Sequence, residues 1–343
     1  MSHHPRHRPQ ISHSPRPAMF TVDAVNERGE VIPTPIAGEH PLTLYVDKQE
    51  IVTLMTLGGA PEALALGYLR NQRLIDSIEE ILIVNVDWEV DACAITTCSG
   101  NGIGGLEEKT SRRTVTTGCG QGTMFGDLME DIERIRLPQD ATLTEQTCYA
   151  LLDQIRLRDT LYKTAGAVHG CALIQNPQYA TAHLTSLSPR SASLSPAGRG
   201  IEGEGERSEG QAVTCGGFKP LSQCLEGISE GERTEEVAER GGVATPEILM
   251  FVEDVGRHNA VDAIAGQMWL EGMSGHDKIF YTTGRLTSEM VIKCAQMEIP
   301  FLISRSGLTR MGYEIAQQVG LTMIGRATGK HYLLFTGAER FVR

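Results

Sequence analysis

Residues 253–262 bring several chemically capable side chains into one short polar stretch, with Glu253 and Asp254 followed by Arg257 and His258. An apolar run at 248–252 precedes the stretch, and a helical pattern at 263–270 follows it. In an open α/β sheet, a turn from a strand into a helix lies outside the carboxyl ends of the strands, where ligands bind. The stretch therefore predicts a binding rim.

Two later turns carry the same kinds of donor. Strands predicted at 278–283 and 301–304 lead through polar turns into helices predicted at 288–297 and 308–319. This alternation predicts a parallel sheet with helices packed on it, so that the turns collect along one edge. Arginine forks, hydroxyls and the free amides of helix N-termini are suited to phosphate groups. The candidate contacts are Asp254, Arg257, His258, Thr283, Arg285, Ser304 and Arg305.

Ordinary local structure is the alternative for each of these turns. Asp254 could cap the helix that follows it, and Arg257 could pair with Asp262 one turn further on. The serines at 304 and 306 would then be common turn residues. The sequence leaves both interpretations open, although three similar turns in succession favour a ligand site.

Composition excludes several classes of function. The formal net charge is −12, so a broad basic surface for nucleic acid is not expected. No apolar run is long enough to span a membrane, and the N-terminus lacks the apolar core of a signal peptide, so a cytoplasmic protein is expected. Neither a Walker phosphate motif nor a Gly-x-Gly-x-x-Gly turn between a strand and a helix occurs, which disfavours P-loop hydrolases and common dinucleotide dehydrogenases.

The cysteines suggest a functional thiol more than a metal site. Eight are present, and no two have the Cys-x-x-Cys spacing of a zinc or redox motif, so we expect no metal. Cys119 lies between glycines in a polar loop, where backbone amides can stabilise a thiolate, and is the best candidate nucleophile. Cys98 has a similar setting and a weaker claim. A loop cysteine without a task remains the alternative.

The chain divides into segments of different composition. Residues 1–19 predict a disordered tail, and residues 20–142 a strand-rich part that contains the cysteine loop at 98–123. Residues 143–343 predict an α/β domain, which a low-complexity insertion interrupts at about 185–245. The insertion would join two strands that otherwise lie close in sequence.

Several of these stretches resemble the FdhD/NarQ family of formate dehydrogenase accessory sulfurtransferases. The resemblance depends on the stretch at 253–262, the Thr-Gly-Arg-Leu-Thr-Ser-Glu-Met run at 283–290, residues 164–169 and the terminal Gly-Ala-Glu-Arg at 337–340. It covers about residues 20–183 and 246–343, leaving out the tail and the insertion. The ten-residue stretch is the specific motif, and the shorter runs support it.

The resemblance implies a cytidine-deaminase-like α/β fold, with a parallel or mixed sheet and helices on both faces. It also implies a persulfide carrier that takes sulfur from a cysteine desulfurase and passes it to the bis-guanine-dinucleotide form of the molybdenum cofactor, for insertion into formate dehydrogenase. Deaminase activity is not implied, since the zinc pattern of those enzymes is absent. We also expect a homodimer.

The family's site residues transfer to this chain with two departures. The persulfide loop, usually Cys-Gly-x-Cys-Gly, falls on residues 119–123, where Cys119 matches the first cysteine and Gly122 replaces the second. One thiolate is enough to accept and release a sulfane sulfur. The cofactor-binding segment near the C-terminus falls on Arg326, Ala327, Thr328, Gly329, Lys330 and His331. The usual arginine before the glycine is Thr328 here.

Two functions from different classes follow. The first is a sulfurtransferase with Cys119 as the persulfide intermediate. The second is a molybdenum-cofactor-binding chaperone without sulfur transfer, which the missing second cysteine motivates. A general nucleotide-binding regulator is a more remote third hypothesis.

Overall fold

The computed structural model describes residues 8–106, 114–115, 122–123, 132, 134–179 and 245–343. The strands up to residue 123 are β1 (Gln10–Ile11), β2 (Met19–Val25), β3 (Val31–Ala37), β4 (His40–Val46), β5 (Gln49–Thr56), β6 (Ile81–Asp87), β7 (Ala92–Thr97), β8 (Thr114–Val115) and β9 (Gly122–Thr123). The later strands are β10 (Leu143–Thr144), β11 (His169–Gln175), β12 (Glu247–Asp254), β13 (Lys278–Thr282), β14 (Phe301–Ser304), β15 (Thr322–Thr328), β16 (His331–Thr336) and β17 (Phe341–Val342). The α-helices are α1 (Pro61–Asn71), α2 (Glu145–Leu157), α3 (Leu161–Ala165), α4 (Arg257–Glu271), α5 (Ser288–Gln296) and α6 (Arg310–Val319).

A five-stranded sheet forms the N-terminal part, in the order β1-β6-β7-β4-β5. Alternate residues of β4, namely Leu42, Leu44 and Val46, are fully buried, as the two-residue period of a half-buried strand requires. β2 and β3 form a separate hairpin. β7 ends at Thr97, immediately before the predicted cysteine loop at 98–123, and it pairs with β6 and β4.

The predicted disordered tail is wrong for residues 8–19. β1 pairs in parallel with β6 at the edge of the first sheet. Ser12 and Ser14 both donate to the buried Glu62 carboxylate, and the Trp88 indole donates to the Ser14 carbonyl at 2.6 Å. These long-range hydrogen bonds order a segment that has no apolar period of its own. Its composition therefore predicted disorder, because such contacts cannot be read from the local sequence. Residues 1–7 lie outside the described part.

A six-stranded sheet forms the C-terminal part, in the order β12-β11-β13-β14-β15-β16. β13, β14 and β15 are parallel neighbours, whereas β11 is antiparallel to both β12 and β13, and β16 is antiparallel to β15. The sheet is therefore mixed, and the simple alternation of strands and helices was misleading at β11 and β16. β12 still points the same way as β13, β14 and β15, so β12, β13 and β14 end at one edge, as predicted.

Helices cover both faces of this second sheet. Leu302 in β14 faces a core that includes residues of α4, α5 and α6, while its neighbour Ile303 faces a core that contains Cys148 and Leu151 of α2. Both faces of these strands are thus buried, and the α/β fold class is confirmed. Cys148 is fully buried within this core.

Two glycines let α1 and α4 cross at very short range. A β-carbon on Gly67 would overlap the carbonyl oxygen of Asp262, and one on Gly266 would overlap the carbonyl oxygen of Ala63. Only residues without a side chain fit there. The crossing places both sheets around one continuous core, which runs across the division predicted between residues 142 and 143.

Some element boundaries differ from the prediction. α4 begins at Arg257 and not near residue 263, because Gly256 is extended and its carbonyl accepts the first helical hydrogen bond from Ala260. Arg257 and His258 are therefore helical. β15 continues through Thr328 into a tight hairpin with β16, so the predicted cofactor-binding segment at 326–331 comprises the end of β15, the turn and the start of β16.

The predicted insertion falls almost wholly on residues 180–244, which lie outside the described residues. The strands that it was predicted to join, β11 and β12, are adjacent and antiparallel, with Gln175 opposite Glu247. In the cysteine region, β8 and β9 pair with each other inside a block that was expected to be loop.

Candidate functional site

The carboxyl ends of β12, β13 and β14 bring the predicted rim residues to one edge of the second sheet. Asp254, Thr282 and Ser304 are the last residues of these strands. His169, the first residue of β11, lies opposite Asp254. The turns that follow lead into the N-termini of α4, α5 and α6, whose first amide groups have no partners within the helix. The edge therefore combines three helix dipoles with the side chains of the turns.

Asp254 is fixed by the protein itself. Its Oδ2 accepts from the Thr56 hydroxyl at 2.5 Å and the Leu57 amide at 3.2 Å, and its Oδ1 accepts from Asn259 at 2.9 Å and the Gly256 amide at 3.2 Å. Burial raises the pKa of this carboxyl, and the four hydrogen bonds oppose that shift. Asp254 thus ties the end of β5 to the start of α4, and its oxygens are occupied within the protein.

Arg257 has the opposite character, because it is buried without an ion pair among the described residues. Its side chain is 6% exposed, and its Nε has no hydrogen-bond partner. The alternative in which Arg257 pairs with Asp262 is not observed, since Asp262 is bound by Lys293 and Asn71. The stem of Arg257 packs on Gly284, where a β-carbon would lie 2.8 Å from the arginine Cδ. Its buried position at the first turn of α4 places a positive charge beside the rim.

His258 faces inward, towards a set of buried charges. Its Nδ1 lies 3.3 Å from Glu289 Oε1, outside hydrogen-bonding geometry. Burial, together with the positive charges of Lys293 and Arg257, lowers the pKa of His258 to about 2. His258 is therefore neutral at physiological pH.

The buried network comprises Asp262, Lys293, Glu289, His258 and Asn71, drawn from α4, α5 and α1. Lys293 Nζ lies 2.8 Å from Asp262 Oδ2 and 3.6 Å from Glu289 Oε1. Asn71 donates to the other oxygen of Asp262 at 2.6 Å. Burial alone would lower the pKa of Lys293, but the two carboxylates raise it, so the amine stays charged. The network holds α5 and the end of α1 against α4.

The hydroxyls at the strand ends mostly shape the turns. Thr282 Oγ1 accepts from the Gly284 amide, and Thr283 Oγ1 accepts from the Gly170 amide at 3.0 Å. Ser304 donates to the Gly284 carbonyl at 2.6 Å and accepts from the Ser306 amide. These contacts join neighbouring turns. They agree with the alternative interpretation, in which Thr283 and Ser304 are turn residues.

Exposed arginines provide the accessible charge of the edge. Arg285 and Arg305 are exposed, and the Arg305 guanidinium lies over the ring of Tyr162 in α3, 5.5 Å from its centroid. The two turns that carry them are joined, because the Leu286 amide donates to the Gly307 carbonyl at 2.9 Å. His169, half-buried beside them, has its pKa lowered by burial and by the charges of Arg257 and Arg285. The two joined turns therefore offer the Arg285 and Arg305 guanidinium groups as hydrogen-bond donors to an anionic ligand.

The C-terminal segment predicted to bind cofactor reaches the same edge. The Arg326 amide donates to the Ser306 carbonyl at 2.9 Å, which places the start of the β15–β16 hairpin beside the turn that carries Arg305. Arg326 is exposed with a positive φ of 52°. We call Arg285, Arg305 and Arg326 the cationic rim. Within the segment, Thr328, Lys330 and His331 are exposed and Gly329 is partly so, whereas Ala327 is buried in the core.

Cys119, the predicted nucleophile, lies outside the described residues. Among the cysteines that the structure does describe, Cys98 is exposed and the others are buried. Burial raises the pKa of Cys171 to about 12, and its thiol lies 3.3 Å from the Thr282 hydroxyl, so it is no nucleophile. Cys98 keeps its weaker claim.

Sequence reasoning missed Glu289, Lys293 and Tyr162. The spacing of Glu289 and Lys293 on one helical face was a usable signal, since residues four apart on a helix are neighbours. Nothing in the local sequence indicated that Tyr162 would lie under Arg305.

Neither a metal cluster nor a membrane-spanning helix occurs among the described residues. They contain no group of three or more His, Cys, Asp or Glu side chains arranged to hold a metal ion. No helix among them is both long enough and apolar enough to cross a membrane.

Two curated proteins that are similar to this chain are named sulfur carrier protein FdhD. The sulfur carrier protein FdhD of Listeria monocytogenes is 22% identical over 312 residues, covering 90% of this chain and 92% of its own length. The sulfur carrier protein FdhD of Bacillus subtilis is 21% identical over 318 residues, covering 92% of this chain and 94% of its own length. Both relatives align along nearly the whole chain.

A solved structure shares the fold. The crystal structure from Desulfotalea psychrophila, described as a formate dehydrogenase accessory protein, matches with a TM-score of 0.58 and 20% sequence identity, covering 94% of this chain and 98% of the other. The finer likeness to cytidine deaminases stays a prediction. The model of the FdhD/NarQ family matches residues 37–184 and 238–342, well over half of the sequence. The chain therefore belongs to the FdhD/NarQ family.

Proposed function

We propose that this protein carries sulfur for the maturation of formate dehydrogenase. In this proposal it binds the bis-guanine-dinucleotide form of the molybdenum cofactor at the carboxyl edge of the second sheet and carries a sulfane sulfur on Cys119. The names of its relatives support the sulfur-carrier role, and the described neighbour supports the link to formate dehydrogenase. A cytoplasmic cysteine desulfurase is the proposed donor.

The observation that carries the binding part is the unpaired, buried Arg257 beside three helix N-termini. A buried guanidinium without a carboxylate partner is costly unless a ligand or other dipoles compensate it. The pyrophosphates of a guanine dinucleotide supply such anionic oxygens, and they also suit the exposed Arg285 and Arg305. The protein's overall charge of −12 makes a local cluster of this kind necessary for holding an anionic cofactor.

The proposed sulfur transfer needs one thiol at a time. The Cys119 thiolate attacks the terminal sulfur of the desulfurase persulfide, so that a new S–S bond forms on Cys119 and the desulfurase cysteine leaves as a thiolate. Release of that sulfur to the cofactor as sulfide requires two electrons. A thiol reductant supplies them by forming a disulfide with the cysteine that gives up the sulfur.

A chaperone without sulfur transfer is the second candidate function, and Gly122 is the observation that favours it. Where the family usually has a second loop cysteine, this chain has a glycine in β9. A chaperone would bind the cofactor through the same edge and would deliver it to formate dehydrogenase without using Cys119.

One experiment separates the two functions. The protein is incubated with a cysteine desulfurase and cysteine, and intact and peptide masses are then measured, with Cys98→Ala and Cys119→Ala as the variants. We expect one added sulfur on the wild type and on Cys98→Ala, and none on Cys119→Ala. If the wild type binds the cofactor but gains no sulfur on Cys119, the sulfurtransferase function is excluded and the chaperone function is supported. Formate dehydrogenase activity in a strain with Cys119→Ala should fall to background if the cysteine is the carrier.

A further inference from the structure

Glu253 begins the motif at 253–262 and lies on the opposite face of β12 from Asp254, because successive residues of a strand point to opposite faces. Its Oε2 accepts from the Leu161 amide at 2.6 Å, and its Oε1 accepts from the Tyr162 amide at 3.1 Å. These two amides begin α3. The two adjacent carboxylates of the motif therefore tie different elements to β12, with Asp254 holding β5 and α4 and Glu253 holding α3.

α3 depends on this contact for its position. Its five residues make little more than one turn, and helices of that length are not stable by themselves in water. The Thr160 hydroxyl accepts from the Lys163 amide at 3.2 Å, but Thr160 belongs to the same local segment. Gly166 and Ala167, which follow the helix, have φ values of 66° and 54°, a backbone conformation that is unfavourable for alanine. The Glu253 carboxylate therefore fixes a short helix that local sequence preferences do not place.

The Tyr162 side chain extends from α3 to the cationic rim. The Arg305 guanidinium lies over its ring, 5.5 Å from the centroid, which is within the range of a cation–π contact. Tyr162 is 51% exposed, so core packing does not explain its place beside the arginine. The contact covers one face of the guanidinium. The N–H groups of a guanidinium lie in its plane, so its edges can still donate to anionic oxygens.

Arg305 differs in this respect from the other arginines of the rim. Among the described residues, no aromatic ring lies under the guanidinium of Arg285 or Arg326. A long side chain that is already oriented loses less conformational freedom when it binds a ligand, so it contributes more to affinity. Tyr162 therefore gives the rim one arginine whose orientation is fixed before the ligand binds.

We propose that Glu253 and Tyr162 are positioning residues for the ligand of this edge. Glu253 fixes α3, and Tyr162 on α3 holds the Arg305 guanidinium in the orientation that binds the phosphate oxygens of a nucleotide. This proposal rests on the proposed function, because it takes the carboxyl edge of the second sheet to be the nucleotide site. It extends that function by giving the first carboxylate of the motif a task at a distance.

Calorimetric titration with guanosine diphosphate tests the link between Tyr162 and Arg305. Tyr162→Ala should weaken binding about two- to fivefold, the factor expected for a cation–π contact at an exposed site, and Tyr162→Phe, which keeps the aromatic face, should bind like the wild type. In an Arg305→Ala background Tyr162→Ala should cause no further loss, whereas in an Arg285→Ala background it should cause its full loss. No loss in Tyr162→Ala, or equal losses in the two backgrounds, overturns the proposal.

Glu253→Gln tests the first step by the same titration. A glutamine has one oxygen acceptor and no charge, so it cannot bind both amides of α3. We expect weaker binding than in the wild type, and no further weakening when Glu253→Gln is added to Tyr162→Ala. Glu247→Gln is the matched control, because Glu247 is an exposed carboxylate at the start of the same strand, and it should bind like the wild type. Additive losses from Glu253→Gln and Tyr162→Ala overturn the role of Glu253.

A measurement without ligand distinguishes failure of this proposal from failure of the proposed function. In protein with isotope-labelled arginine, the Arg305 side-chain NMR signal is assigned by its loss in Arg305→Ala. The ring current of Tyr162 should shift this signal, and the shift should vanish in Tyr162→Ala, persist in Tyr162→Phe and decrease in Glu253→Gln. An unchanged Arg305 signal in Tyr162→Ala overturns this proposal alone. A wild type that binds no guanosine diphosphate overturns the proposed function and this proposal together.

Discussion

The buried network and the cationic rim lie at the same sheet edge. They differ in whether their charged groups have partners within the protein. Asp262, Lys293, Glu289 and Asn71 find their partners inside the protein and are nearly inaccessible to solvent. Arg285, Arg305 and Arg326 are exposed, and the structure gives their guanidinium groups no carboxylate partner within the described residues. The motif at 253–262 therefore contributes mainly buried side chains that hold the site together, while the neighbouring turns contribute the exposed positive charge.

Arg257 connects the two regions. It belongs to the motif and is as buried as the residues of the network. Its Nε nevertheless has no hydrogen-bond partner, as expected of a group that binds a ligand. The comparison predicts that substitutions in the network lower stability, that substitutions in the rim lower ligand affinity, and that replacing Arg257 lowers affinity without destabilising the fold.

Lys293→Met should have the largest effect on stability. Removing the amine leaves the buried Asp262 and Glu289 carboxylates without their shared cation, which costs about 3–5 kcal/mol of unfolding free energy. Urea denaturation measures this loss. Arg310→Ala is the matched control, because Arg310 and Glu314 form an i,i+4 pair whose arginine is 90% exposed, and it should unfold like the wild type. Equal stability of Lys293→Met and the wild type would mean that the network does not hold α4 and α5.

Gly67→Ala should have the next largest effect. A methyl group at this position meets the backbone of Asp262, so α1 and α4 must separate, at a cost of roughly 1–3 kcal/mol. Gly59→Ala is the control, because no atom lies within 4 Å of a β-carbon there. Thermal unfolding should distinguish the two variants. Equal losses of stability in the two variants would show that the close approach of α1 and α4 does not require glycine at residue 67.

Stability should fall as the pH is lowered from about 6.5. The folded pKa of His258 lies far below its ordinary value of 6.5, because burial, Lys293, Arg257, His169 and Arg285 all oppose its protonation. Its contribution is complete above pH 6.5 and is lost below it, by up to about 1.4 kcal/mol per pH unit.

Replacing the titrating ring isolates this contribution. His258→Asn should flatten the pH dependence of urea denaturation between pH 5 and 6.5. His276→Asn, at a side chain that is 56% exposed, should keep the wild-type slope. A wild-type slope in His258→Asn would show that His258 is not buried in its neutral form.

Substitutions in the cationic rim should have the smallest effect on stability and a clear effect on binding. Arg285→Ala and Arg305→Ala remove exposed side chains, so unfolding should barely change. Each should weaken the binding of guanosine diphosphate, a probe that shares the base, ribose and pyrophosphate of the proposed cofactor, by about tenfold for one lost charge-assisted hydrogen bond. Calorimetric titration at two salt concentrations measures this, and affinity should fall at higher salt. Unchanged affinity in both variants would remove the rim from the binding site.

Arg257→Met should lower ligand affinity without lowering stability. The methionine preserves much of the packing on Gly284 and removes the unpaired buried charge, so stability should hold or rise while nucleotide affinity falls by more than in either rim variant. Calorimetry and thermal unfolding on the same protein provide both readings. A large loss of stability without loss of affinity would assign Arg257 to the network instead.

Local patterns predicted the second half of the chain well. β14 and α6 are close to their expected bounds, because strand and helix periods, turn residues and tertiary packing agree there. The order of elements also correctly predicted that β12, β13 and β14 end at a common edge. The reversed directions of β11 and β16 were not predictable, because strand direction depends on connections and packing that no single strand encodes.

The sequence by itself determined the residue types at the sheet edge, the family resemblance and the α/β class, since all three follow from local spacing and motif. Only the tertiary structure decided which side chains remain available. Asp254 and Ser304 looked like ligand contacts, but donors and acceptors from distant segments, such as Thr56 and Gly284, occupy them. Burial and partners arise from contacts between residues far apart in the chain, and for that reason the accessible charge lies on Arg285, Arg305 and Arg326.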